Sequence, residues 1–141
     1  MRAKERIKEI AKSHQVRLKF IKTGHPCYDF KTKTISLPLD LSDQRLIFAF
    51  FHELAHFENQ KNNKFPLYHN NSFPTIMKKF KNSYWKTTAY VHRAELYTDK
   101  VGEKLCNQFF PGLIFWGGYS HDPKGSLGFI QRYYFQYNKN P

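Results

Sequence analysis

A chain of 141 residues, 40 % hydrophobic and 18 % aromatic, has enough apolar material to build a core, which excludes an intrinsically disordered protein. Its 23 Lys and Arg against 11 Asp and Glu leave a net charge of +12 with His neutral, a balance suited to nucleic acid, anionic lipid or acidic protein partners. No apolar run reaches the ~20 residues that span a bilayer, the basic start leads into no signal-like stretch, and Cys27 and Cys106 are too few for a disulfide scaffold, so one reduced, cytoplasmic domain over 1–141 without membrane contact is expected.

Ala3, Ile7, Ile10 and Ala11 recur at helical spacing within 2–13. Val16, Leu18 and Phe20 then alternate with Arg17 and Lys19, as in a half-buried strand. Gly24-His25-Pro26 turns the chain, and 27–30 and 34–37 read as short strands of a hairpin about Lys31-Thr32-Lys33, the second ended by Pro38. Ser42 is placed to cap a helix over about 43–60, with Asp43 at the positive end of its dipole. Asn62 and Asn63 open a polar loop, after which Ser72 caps a short helix through Met77 to Phe80. A longer helix is expected over about 88–107, before Pro111-Gly112. The Tyr- and Phe-rich tail, 113–141, is assigned neither strand nor helix, although Leu127, Ile130, Tyr134 and Tyr137 fit helical spacing weakly. Charge is uneven along this order: Glu58 and Glu95 bracket a stretch without acids that holds Lys61, Lys64, Lys78, Lys79, Lys81, Lys86 and Arg93.

The helix over 43–60 carries chemistry. Ile47, Phe50, Phe51, Leu54 and Phe57 form a core stripe, while Ala49, His52, Glu53 and His56 lie on roughly the opposite side, flanked by Leu46 and Phe48. Three ionisable side chains on a helix apolar almost all round cost several kcal/mol unless something satisfies them. A metal ion does so, because two His at i and i+4 project one turn apart, as two corners of a zinc tetrahedron. The motif is His-Glu-x-x-His, in which Glu53 lies beside the ion and can take a proton from the water that zinc activates.

A hydrolytic zinc site needs a third protein ligand and one open position. Glu95 is one candidate: on the later helix Val91, Ala94, Thr98, Val101 and Leu105 make the apolar stripe, and Glu95 borders it. Asp99, one turn on, could accept the free ring N–H of a ligating His. Gly102 lowers helix propensity, which points to a neighbouring backbone passing close. His69, 13 residues after His56 in a polar stretch, is the rival ligand.

His52-Glu53-Leu54-Ala55-His56 followed by Glu95-Leu96-Tyr97-Thr98-Asp99-Lys100-Val101-Gly102 resembles the gluzincin metallopeptidases, most closely the small intracellular ImmA/IrrE-like proteins and minimal gluzincins. The likeness covers roughly 34–106 and departs from the family pattern at Thr98, where Ala is usual. It implies His52, His56 and Glu95 as zinc ligands, Glu53 as general base and Asp99 as the carboxylate behind a ligating His. It also likens Ile35-Ser36-Leu37-Pro38 to the edge strand that holds an extended substrate. A secondary resemblance, carried by His69 and the aromatic and Met that follow it, is to the SprT-like proteases, whose third ligand is His and which are associated with DNA; their zinc ribbon is absent here.

The resulting expectation is an α+β, zincin-like domain, with a short mixed sheet packed on the motif helix and further helices. It would act as a zinc-dependent peptidase on protein or peptide substrates. The alternative is a DNA-associated protease or zinc-stabilised regulatory module with His69 as ligand, and the basic surface makes nucleic acid a candidate partner. His92, Tyr97, Tyr119 and His121 are candidate donors to the oxyanion, residues 115–119 could form a flap, and His14 and His25 read as loop residues.

Overall fold

The computed structural model describes residues 2–115, which form a three-stranded sheet and five helices in the order α1 (Ala3–Ser13), β1 (Arg17–Ile21), β2 (Cys27–Asp29), β3 (Thr34–Pro38), α2 (Asp43–Lys61), α3 (Pro66–Asn70), α4 (Phe73–Lys79) and α5 (Tyr84–Phe109). This is an α+β arrangement with a mixed sheet. The hairpin forms where Asp29 turns the chain: its carboxylate accepts from the Lys31 and Thr32 amides at 2.9 and 3.3 Å, and Lys33 takes a left-handed φ of 54°. β2 pairs antiparallel with β3, and β1 pairs parallel with β3 on its other side.

The strand order is therefore β1-β3-β2, which corrects one expectation. The segment Ile35–Pro38 lies in the centre of the sheet and is not an edge. Ile35 and Leu37, both 0 % exposed, point into the core, and the sheet leaves β1 and β2 as its edges.

α2 is the central helix, touching α1, β2, β3, α3 and α5. Ser42 caps it by accepting from the Arg45 amide at 3.3 Å. Its stripe Ile47, Phe50, Phe51, Leu54 and Phe57 is buried, as are Ala3, Ile7, Ile10 and Ala11 of α1.

α5 begins four residues earlier than the periodicity suggested. Ser83 caps it, accepting from the Lys86 amide at 3.3 Å, and Thr87 donates back to the Ser83 carbonyl at 2.7 Å, so local bonds stabilise a first turn whose aromatic and β-branched residues are weak helix formers. Its packing face is also rotated from the expected stripe: Val91, Ala94 and Thr98 are buried, but so are Glu95, Asp99, Gly102 and Cys106, whereas Val101 and Leu105 are half-buried. Gly102 explains the rotation, since a Cβ there would stand 3.1 Å from the Phe51 carbonyl oxygen; α2 and α5 meet backbone to backbone. Among the described residues no helix is long and apolar enough to cross a membrane.

Candidate metal centre

The 3.6-residue repeat of α2 stacks His52 and His56 one turn apart, with ring centroids 4.9 Å apart. His52, Glu53 and His56 each bring one ligand atom within 4.8 Å of the others, so this His-Glu-His group could hold a metal ion. Glu53 is 7 % exposed and His56 8 %, while the His52 side chain keeps 18 % of its surface open.

α5 adds two carboxylates from the facing side. Glu95 Oε2 lies 3.0 Å from His52 Nε2, and Glu95 Oε1 lies 3.3 Å from His56 Nε2. A tetrahedral ion with bonds of about 2.0–2.1 Å spaces its ligand atoms about 3.3 Å apart; both separations are near that size, each to a different oxygen of the Glu95 carboxylate. The Nδ1 of His52 donates to Asp99 Oδ1 at 2.6 Å, which fixes the ring and turns Nε2 toward Glu95. Glu95 and Asp99 are 2 % and 4 % exposed and both face His52 on α2, whereas Lys100 and Lys104 lie exposed on another face of α5.

His69 is not a loop residue. It sits on α3, 3 % exposed, with Nε2 2.8 Å from His56 Nδ1 and Nδ1 donating to the Lys64 and Phe65 carbonyls at 3.0 and 3.3 Å. It therefore stands behind His56, on the ring edge opposite Glu95. Its neighbour Tyr68 donates its hydroxyl to Glu95 Oε1. Tyr68 was not singled out in the sequence, and a helix of five residues is too short to show a period. The one signal for it is Pro66 at the first helical position.

Electrostatics follow from this crowding. Burial disfavours charge on His52, but its hydrogen bonds to Asp99 and Glu95 and the charges of Glu95 and Glu53 outweigh that and hold its pKa well above the usual imidazole range. Burial likewise opposes charge on Glu95, and there the His56 charge and the bonds from both imidazoles win, holding the carboxyl well below its ordinary range. Glu53 goes the other way: burial pushes it up, only partly offset by His56 and His52. Burial, then the His56 charge, push His69 down to about 4, so it is neutral at neutral pH. Glu95 is thus an anion facing two imidazole nitrogens across gaps that a proton or a metal ion must fill, because carboxylate oxygens and unprotonated ring nitrogens both only accept.

Of the other candidates, Tyr97 packs its ring against Phe65 at 5.6 Å, and His92 is half-buried on α5. His14 ends α1 with Nδ1 3.1 Å from Glu58 Oε1 on α2, and His25 is exposed between β1 and β2. Phe115 packs edge-on against Phe48 at 5.5 Å; the rest of the expected flap, Tyr119, His121 and the tail fall outside the described residues. Comparison of the chain with protein-family models, with curated proteins and with solved structures finds no match.

Proposed function

We propose that this chain is a zinc-dependent metallopeptidase of zincin-like fold, in which His52, His56 and Glu95 hold the ion and Glu53 is the general base. The observation that carries the reading is the convergence of two imidazole Nε2 atoms on one buried carboxylate, 3.0 and 3.3 Å away, beside a second buried carboxylate with a raised pKa. Two His and a carboxylate are a borderline-soft donor set that suits zinc and leaves one of four positions open. Zinc, when bound, supplies a Lewis acid that polarises a carbonyl and brings the pKa of water toward ~7.

The remaining chemistry belongs to the chain. Glu53 follows His52 on α2 and is held off water by burial, so its carboxylate takes up and releases a proton nearer neutrality than an exposed Glu would. It accepts the proton of the attacking water and passes it to the leaving amine. Glu95 and Asp99 hold His52 from α5, which keeps the site rigid on two long helices. With β3 in the centre of the sheet, the edge near the site is β2, whose Cys27 thiol is pushed up first by burial and then by the Glu53 charge. A peptide added along the β2 edge would pass Glu53 with its main chain hydrogen-bonded to the strand. The exposed side of His52 gives the opening through which it would reach the site.

The test is a pair of variants assayed for zinc content and for cleavage of unstructured protein. Glu53→Gln is expected to keep zinc and lose about 10²–10⁴-fold in hydrolysis. Glu95→Ala is expected to lose both. A Glu53→Gln protein that cuts as fast as the parent would overturn the assignment.

A further inference from the structure

The ring of His56 separates two neighbours. Nε2 faces Glu95 at 3.3 Å and Nδ1 faces His69 at 2.8 Å, on opposite edges of the imidazole. An ion held by His52, His56 and Glu95 is thus a full ring away from His69. The proton positions are set from outside inward. Carbonyl oxygens only accept, so His69 Nδ1 carries a hydrogen for Lys64 and Phe65, and its Nε2 is left to accept from His56 Nδ1. That bond puts the His56 proton on Nδ1 and its lone pair on Nε2, toward Glu95.

Tyr68 does the same for the carboxylate. Its hydroxyl donates to Glu95 Oε1, and its ring lies edge-on to His56 at 5.9 Å. Both residues ride on α3, which is fastened to α5. The Tyr68 amide donates to Tyr90 Oη at 3.3 Å, and Phe65, in a left-handed conformation with φ 48°, packs its ring 5.6 Å from both Tyr90 and Tyr97. A left-handed Phe is strained and persists only where surroundings impose it; here the rings of Tyr90 and Tyr97 do.

We infer that Tyr68 and His69 are positioning residues for the metal centre: His69 fixes the tautomer of His56, and Tyr68 fixes the orientation of Glu95, so that each of the three ligands has one partner, Asp99, His69 or Tyr68. This rests on the metal-binding part of the proposed function but not on peptide cleavage.

The experiment measures zinc affinity by competition with a chromophoric chelator, and the visible absorption of the cobalt(II) form, in the whole chain. Two amides divide the roles of the imidazole. In His69→Gln the Oε1 can still accept from His56 Nδ1–H, whereas in His69→Asn the shorter amide keeps only the donor toward the Lys64 carbonyl. Zinc affinity is expected to stay within about threefold of the parent in His69→Gln and to fall by about 10–100-fold in His69→Asn. Tyr68→Phe is expected to lose about tenfold and carries the test if position 69 tolerates no change. The cobalt band should keep its shape throughout, because no ligand has been removed.

Equal affinities for Asn, Gln and parent, with Tyr68→Phe unchanged, would overturn the inference. So would a cobalt band that changes whenever His69 is replaced, since His69 would then be a ligand. A parent that binds neither ion refutes the metal reading and this inference together, whereas a zinc-loaded parent that cuts no peptide refutes only the peptidase.

Discussion

Thr98 and Asn59 tie the two ligand-bearing helices together next to the site. The Asn59 amide donates to Thr98 Oγ1 at 3.1 Å, and that hydroxyl donates to the Ala94 carbonyl at 2.7 Å. Both residues are essentially fully buried. Each lies three positions beyond a proposed ligand, Asn59 after His56 and Thr98 after Glu95, so this link sets the sliding of α2 against α5 where the ligands must meet. Thr98→Ala would leave a buried amide hydrogen without its acceptor, a loss of about 1–3 kcal/mol. Urea unfolding of the metal-free protein is expected to show that loss, and Thr98→Ser should recover most of it. Thr98 is thus accounted for by one specific partner on the facing helix.

At the scale of elements, α1, the hairpin and α2 were legible because each carries a strong local signal: an apolar stripe, two strand-like segments about Lys31-Thr32-Lys33, a Ser cap ahead of a hydrophobic helix. His52, Glu53 and His56 were legible for the same reason, the motif being contained in a single turn. What local patterns do not encode is which neighbour an element meets. The order β1-β3-β2 is set by pairing between segments about 17 residues apart in the chain, and the face α5 presents is set by how closely Gly102 lets α2 approach. α3 escaped because five residues carry no period, and with it went the place of Tyr68 beside Glu95 and of His69 behind His56. Gly102 gives the element-scale prediction. The Cβ contacts of 3.1 Å to the Phe51 carbonyl oxygen and 3.3 Å to the Phe115 ring are already tight for one methyl group. Gly102→Val adds two further methyls and is expected to force the helices apart, costing about 1–3 kcal/mol and lowering zinc affinity, because Glu95 would be drawn away from His52 and His56. Thermal unfolding with and without zinc reads both effects; an unchanged midpoint would show that the close approach is unimportant.

At the scale of the molecule, one stretch of the described surface carries a single sign of charge. Glu53, Glu95 and Asp99 are buried at the centre, while Lys61, Lys64, Lys78, Lys79, Lys81 and Lys86 are exposed in a stretch that has no acid between Glu58 and Glu95. A surface of one sign draws oppositely charged molecules toward it, and salt screens it beyond ~10 Å at 0.1 M. If the proposed activity holds, acidic peptides should be cut faster than basic ones of equal length. Their kcat/KM should fall roughly tenfold between about 0.05 and about 0.5 M salt, whereas a salt-independent preference would place specificity in local pockets instead. His52 and Glu95 are 43 residues apart in the chain, and the exposed Lys61 and Lys64 lie between them. An ion shared by those two side chains would act as a removable rivet across the intervening segment. Chain nicked by trypsin at those lysines should therefore remain one particle on gel filtration while metal is present and withstand more urea before its two fragments part than it does after chelation.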